Sequence, residues 1–322
     1  MNTSSRDRTR RSRDVLADLT GFFFRSITSP SQARPTVRCL SRTDALQLVL
    51  QARDAIPDPE LRRLSAARLL ALLEKSRVLQ PVPIVAPPNR REGMYSVGAQ
   101  PLETIEPLEL LQAAEPSGLV CYFTALAYHG LTTQSPIHHH VARLVDRPRA
   151  APSAERAAVA TSGESTRRRD PLGTLRFTYQ SVPYYETSRA MHTVAGIQLR
   201  HVNDRSLVRI TTREQTLLDT LHRPVSCGGL SVVWEAWQTG LTALDEPRLC
   251  EHLKTLDESK HVRRVGYLLQ AFGYTPGDPL NSLLDETRSA LQGDVDTPVI
   301  PLFAGLPAVT MDSTWRLDVP VA

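Results

Sequence analysis

Three adjacent histidines, His138, His139 and His140, with His129 nine residues upstream, are the side chains in this sequence that most invite a chemical reading. Imidazoles ligate zinc and act as general bases near neutral pH. On a strand, side chains alternate, so His139 points away from His138 and His140 and at most two share a face. No Asp, Glu or Cys stands at ligand spacing beside them. The pattern predicts solvated or half-buried strand histidines, and a His-dependent metal hydrolase or nuclease is the weakest of the available readings. His129, just before Gly130, reads as a helix C-cap that favours the negative end of the helix dipole.

The other chemical readings are thinner. Gly228 and Gly229 lack the strand–loop–helix frame and the further glycines of a phosphate cradle, so they read as a turn. Ser226 and Cys227 have no local histidine and acid partners, and the cysteine reads as a packed thiol. Arg213, Glu214 and Asp219 could hold a catalytic pair, but residues five or six apart on a helix fall on different faces. An ion pair at a helix start accounts for them better. Arg263 and Arg264 offer either a structural salt bridge to a distant acid or a basic contact for a partner. The sequence predicts no catalytic residue, no metal site and no cofactor.

The chain carries four short blocks in fixed order, which hold His129 and the residues near 213, 228 and 263: 122–130, 210–220 leading to 227–229, 263–269 and 315–317. The first reads as a small-residue helix whose Ala125, Leu126 and Tyr128 pack, with Gly130 supplying the left-handed stop. In the second, Thr212 is a capping-type residue ahead of a charged turn. Thr216 and the apolar Leu217 and Leu218 follow, which sets Asp219 beside a buried stripe.

The series resembles the AbiEi family, the antitoxins of type IV abortive-infection toxin–antitoxin pairs that also act as transcriptional regulators. The match covers residues 102–315 and rests on patterns rather than one invariant motif. In that family a segment like residues 123–130 precedes a strand like residues 140–142, and a segment like 213–219 precedes a Gly-Gly turn like Gly228 and Gly229. The resemblance implies that Tyr128, His129, Gly130, Arg213, Thr216, Asp219, Gly229, Arg263 and Arg264 are motif positions of an antitoxin domain. It also implies the partners: a cognate nucleotidyltransferase-like toxin, opposed with or without a stable complex, and operator DNA with inverted repeats in the protein's own promoter.

Around the blocks, residues 138–145 and 174–179 read as strands that pair in one sheet, and residues 194–199 and 207–210 as further strands. From 213 to 288 the pattern is mostly helical. Strands first and helices later argue α+β rather than a regular βαβ alternation. Residues 150–170 form a loop by composition, with Arg167, Arg168 and Arg169 inside it. The stretch from 298–302 to 315–319 reads as the closing strand region of the second domain.

The front of the chain is basic. The first 100 residues hold 17 Lys+Arg against 9 Asp+Glu, and the remaining 222 hold 21 against 25. A basic third beside a mildly acidic remainder fits a nucleic-acid contact at one end. Residues 1–40 read as a basic mobile arm and linker, with Arg6, Arg8, Arg10, Arg11 and Arg13 in a polar stretch without apolar period. Such an arm either lies along phosphates or is an idle solvated tail.

Residues 41–100 read as a winged-helix-like domain. Ser41 or Thr43 caps a helix carrying Leu46, Val49 and Leu50, which ends before Pro57 and Pro59. A short helix follows near residues 60–64. Ser65 then caps a third whose Leu69, Leu70, Leu72 and Leu73 pack while Arg68, Lys75 and Arg77 face solvent. That is helix-turn-helix spacing. Residues 82–85 and 93–97 read as wing strands joined by a loop with Arg90 and Arg91 at its tip, although Pro81, Pro83, Pro87 and Pro88 weaken the hairpin. The candidate DNA-binding residues are Arg62, Arg63, Arg68, Lys75, Arg90 and Arg91. A wing serving only packing or dimerisation is the competing reading, because Ser65, Ala66 and Ala67 offer few groups to base edges.

Residues 101–107 read as a hinge, and residues 101–322 as the antitoxin domain. The 322 residues suggest two domains, and 41% hydrophobic content suffices for sizeable cores. The 24 prolines against 16 glycines foretell interrupted elements. Four scattered cysteines and an apolar run no longer than Phe22 to Phe24 near the N-terminus point to reduced thiols in a cytoplasm, without a membrane span, and the family resemblance implies that the cytoplasm is bacterial. A stand-alone DNA-binding regulator or phage-defence accessory without a toxin is the alternative to the antitoxin.

Overall fold

The computed structural model describes residues 3–28, 38–90, 92–98, 101–146, 171–203, 206–294 and 296–320, and among these the side chains of all but residues 3–13 and Glu60. Among the described residues the chain forms eleven α-helices and twelve strands in three sheets, an α+β fold. Two units divide it. The first comprises Met1–Gly118, Arg176–Tyr184 and Leu199–Arg209; the second comprises Leu119–Leu175, Tyr185–Gln198 and Ile210–Ala322.

The first unit begins with a helix, α1 (Thr3–Thr28), where composition predicts an irregular arm. The reason lies in its second half: Val15, Leu19 and Phe23, four apart, make one buried stripe that joins the core of the following helices. The side chains of Arg6, Arg8, Arg10, Arg11 and Arg13 and the residues 29–37 lie outside what is described. After β1 (Cys39–Ser41) come α2 (Arg42–Ala55), α3 (Pro59–Arg63) and α4 (Ala66–Lys75). Ser41 caps α2, its hydroxyl accepting from the Asp44 N–H at 3.1 Å, and Ser65 caps α4, accepting from the Arg68 N–H at 3.2 Å. Val49, Ala52, Leu61, Leu69 and Leu73 close the core between these helices.

Strands β2 (Leu79–Val82) and β3 (Met94–Val97) follow, in an antiparallel sheet of order β1-β3-β2. Leu79 faces Val97 and Val82 faces Met94 across the hairpin. The first hairpin strand therefore ends at Val82, where the sequence pattern starts it. Pro81 is tolerated because β2 is an edge strand, and Pro83 ends it. Val85 instead forms an isolated antiparallel bridge with Thr178. The expected hinge at residues 101–107 lies inside this unit and leads into α5 (Pro107–Ala114), whose fully buried Glu109 takes Arg38 through two hydrogen bonds at 2.9 and 3.0 Å. Burial alone would raise the Glu109 pKa, but the bonds from Arg38 and Ser206 hold it below its ordinary value.

The largest sheet has the order β6 (Thr174–Tyr179), β7 (Val182–Ala190), β5 (His139–Val145), β4 (Leu119–Val120), β9 (Leu207–Thr211), β8 (Ile197–His201). Residues 138–145 and 174–179 thus share a sheet without pairing, because β7 lies between them. Strand β7 is hidden from pattern reading since Tyr184, Tyr185, Glu186 and Thr187 are all buried, which removes the alternation that marks a one-faced strand. Strand β4 pairs antiparallel with β5, with Val120 opposite Val141, and parallel with β9, with Val120 opposite Ile210.

In the second unit α6 (Tyr122–Tyr128) follows β4. The helices α7 (Arg213–His222), α8 (Leu230–Leu241), α9 (Glu246–Leu256), α10 (Ser259–Ala271) and α11 (Asp278–Gly293) come after β9. A three-stranded sheet closes the unit: β12 (Leu317–Val319) pairs parallel with β10 (Ile300–Pro301) and antiparallel with β11 (Thr310–Asp312). Trp237 and Trp315, both without exposed surface, anchor the core.

Candidate functional site

In the first unit, α3 and α4 carry exposed cations over a leucine core. Arg62 and Arg63 on α3, Arg68 and Lys75 on α4, and Arg77 just beyond are all exposed. The buried stripe of Leu69, Leu70 and Leu73 faces α2, which leaves Arg68, Ala71 and Lys75 on the outer side of α4. The one acid of α4, Glu74, turns away from that side, its carboxylate accepting from the hydroxyl of the buried Tyr95 at 2.7 Å. The outer side of α4 is therefore positive.

The wing-tip expectation fares differently. Arg90 is half-buried and donates to Glu92 at 3.0 Å, and Glu92 also receives a bond from Arg176, so Arg90 is paired within its own unit. Arg91 lies outside the described residues.

In the second unit the motif positions surround a buried polar core. Asp219 has no exposed surface; its carboxylate pairs with Arg189 at 2.6 Å and accepts from the Gln215 amide at 2.8 Å. The expected ion pair at the start of α7 is corrected: Glu214 lies 3.7 Å from Arg248, and Arg213 Nε has no partner among the described residues. Six residues along a helix turn a side chain through about 600°, so Arg213 and Asp219 cannot meet. Arg189, which no motif flagged, also donates to the Thr193 carbonyl at 2.8 Å and stands 5.9 Å from the Tyr122 ring centroid, with Arg223 at 5.5 Å from the same ring. Tyr122 holds a left-handed backbone, φ 57°. A charged residue on a strand rich in aromatics was the one sequence signal for Arg189.

Thr212 caps α7, accepting from the Gln215 N–H at 3.2 Å, and its hydroxyl is 2.9 Å from His252 Nε2. Thr216 donates to the Thr212 carbonyl at 2.7 Å. His129 caps α6, and its Nε2 donates to the Thr211 carbonyl at 2.8 Å; Gly130 follows with φ 63°, and the Tyr128 ring packs edge-on to His129. Gly228 and Gly229 both have positive φ and form the turn into α8; a Cβ at Gly228 would stand 2.8 Å from Phe123.

The three histidines are buried, not solvated. His138 Nε2 donates to the Ser226 carbonyl at 3.2 Å, His139 Nδ1 lies 3.3 Å from the Thr124 hydroxyl, and His140 Nε2 donates to the Leu172 carbonyl at 3.0 Å. The rings of His138 and His140 meet edge to face, 4.9 Å between centroids, which agrees with the alternation argument. Burial pushes the pKa of His139 down to about 4 and of His140 to about 3, so both are neutral near pH 7. Among the described residues no three His, Cys, Asp or Glu side chains are placed to hold a metal ion. Burial also pushes the Cys227 thiol up, away from the thiolate a nucleophile needs.

Arg263 and Arg264 bind carbonyl oxygens rather than acids. Arg263 donates to the carbonyls of Trp315 at 2.9 Å and Pro298 at 3.0 Å, and Arg264 to that of Pro301 at 2.9 Å. Both hold the closing sheet to α10. His129, Arg263 and Arg264 of the second unit thus hold backbone carbonyls, while α3 and α4 of the first unit present exposed cations.

Among the described residues no helix is long and apolar enough to cross a membrane. No protein-family model matches the chain, and no curated protein matches it. Among solved structures it is similar to the crystal structure of the RV2827C protein from Mycobacterium tuberculosis, at 13% identity over 87% of this chain and 86% of that one, with a TM-score of 0.46.

Proposed function

We propose that the chain is a non-enzymatic, cytoplasmic DNA-binding regulator of the AbiEi type: a winged-helix-like front end that represses its own promoter, and a second domain that opposes a nucleotidyltransferase-like toxin. The observation that carries the DNA-binding part is the outer side of α4. Arg68 and Lys75 are exposed there, and the helix's one carboxylate is occupied by Tyr95. The succession α2, α3, α4 and then the β2–β3 hairpin is the order of a winged helix, in which α4 would enter the major groove. Arg62, Arg63, Arg68 and Lys75 would then contact phosphates or base edges.

The antitoxin part rests on the resemblance of the four blocks. It is supported by two buried contacts in the second unit, Gln215 with Asp219 inside one block and Arg263 with Trp315 between two others.

Co-expression with the product of the neighbouring gene tests the second domain. Growth restored by the full chain, and equally by a variant lacking the cations of α3 and α4, supports an antitoxin whose DNA contact is separable. A neighbour without toxicity, or growth unrestored by the intact chain, replaces this reading with a stand-alone regulator.

A further inference from the structure

Arg77 stands one residue past the C-cap of α4 with φ 59°, in the left-handed region. Its N–H donates to the Glu74 carbonyl and the Val78 N–H to the Leu73 carbonyl, both at 3.0 Å. This pair of bonds ends a helix in a left-handed turn, a position that favours glycine because any Cβ is crowded there. Arginine occupies it nonetheless. The fold takes little in return: Arg77 is exposed, and its guanidinium has no hydrogen-bond or ion-pair partner among the described residues.

The surroundings point to what the side chain serves. Lys75 lies two residues before it and Arg68 further back on the same helix, both exposed, while Glu74 is held by Tyr95. The C-terminal end of α4 therefore carries two neighbouring exposed cations, while the Glu74 carboxylate between them and the core turns to the Tyr95 hydroxyl. A favourable interaction with the helix dipole would explain one cation, and Lys75 already supplies it from the last turn. A second, placed on a residue whose conformation disfavours a side chain, answers to an anion outside the chain.

We propose that Arg77 contacts a backbone phosphate of double-stranded DNA and anchors the C-terminal end of α4 on the duplex. This rests on the reading of the first unit as a DNA-binding module. A phosphate contact contributes affinity and register without sequence preference, and each one made releases counterions.

The test uses the full chain with two duplexes of equal length, one from its own promoter and one unrelated, titrated across salt, together with thermal melting. Arg77→Gly relieves the backbone and removes the charge; Arg77→Lys keeps both strain and charge. The glycine variant is expected to melt at or above the wild-type temperature, yet to bind both duplexes about 5-fold more weakly near 0.15 M salt, with the slope of log K against log salt smaller by about 0.9. The lysine variant should bind like wild type. Wild-type binding with an unchanged Arg77→Gly variant removes Arg77 from the contact and leaves the module reading standing. A lowered melting temperature for Arg77→Gly assigns the arginine to the fold and overturns the proposal. Absence of wild-type binding to either duplex overturns both readings.

Discussion

Gly266 in α10 lies directly against the indole of Trp315: a Cβ built on Gly266 would stand 2.4 Å from the ring. Trp315 is fully buried, and its Nε1 donates to Gln270, four residues along α10 from that glycine, at 3.0 Å. Arg263, three residues before Gly266, donates to the Trp315 carbonyl at 2.9 Å. Two sequence blocks more than forty residues apart therefore form one packing unit, and the glycine in mid-helix is the space the indole occupies.

Replacing Gly266 by alanine should reverse the usual rule for helices. In an open helix the change would stabilise by about 1 kcal/mol. Here the new methyl meets a ring with nowhere to go, and a loss of about 2–3 kcal/mol is expected. Urea unfolding of the two proteins decides it, and a variant more stable than wild type would show that Trp315 is free to move.

The Asp219–Arg189 pair is buried on both sides, so removing one partner leaves an uncompensated charge. Asp219→Ala is expected to cost about 3–5 kcal/mol, and the double variant with Arg189→Met distinctly less than the sum of the two single changes. Denaturation of all four proteins measures the coupling. Additive losses would mean the pair is not an interacting unit.

Acid should weaken the fold before its carboxylates titrate. His139 and His140 sit at about 4 and about 3 when folded, lowered by burial and then by His138, and for His140 also by Arg223. Unfolded histidine titrates near 6.5. The unfolded chain therefore binds more protons in between, so stability is full above about 6.5 and falls as pH drops toward the folded values. Between pH 7.5 and 5 each histidine should remove on the order of 1–2 kcal/mol, with His261, pushed down to about 4, adding in the same sense. His140→Gln should flatten the profile of unfolding midpoint against pH; an identical slope would contradict the assignment.

The exposed cations of α3 and α4 and the paired Arg90 should behave differently toward DNA. Arg62→Ala, Arg68→Ala and Lys75→Ala together are expected to leave melting within about 0.5 kcal/mol of wild type and to lower the salt slope of duplex binding by about 3. Arg90→Ala, which removes a cation already bonded to Glu92, should change the slope little. Equal losses from the triple variant and from Arg90→Ala would move the contact from α4 to the hairpin.

Elements whose cause is local were legible from the residues themselves. Ser65 before a leucine stripe marks α4 and its outward cations, Thr212 marks the start of α7, and the histidine and glycine at 129 and 130 end α6. A side-chain oxygen three residues from the N–H it caps, or a glycine free to turn left-handed, acts within one turn of backbone, so composition and spacing suffice. The same holds for the α+β class, which follows from strand-like periods preceding helical ones.

What the tertiary structure alone decided has partners distant in sequence. The partner of Asp219 is Arg189, thirty residues away on a strand buried on both faces, where no alternation signals a strand. The first helix forms over a polar arginine stretch because Val15, Leu19 and Phe23 find a core made by α2 and α4. Arg263 and Arg264 serve carbonyls near the C-terminus, and Arg90 is bonded to Glu92, so charge counted along the chain misstates which cations face solvent. Capping and periodicity are properties of neighbouring residues, whereas burial and ion pairing depend on which surfaces the fold brings together.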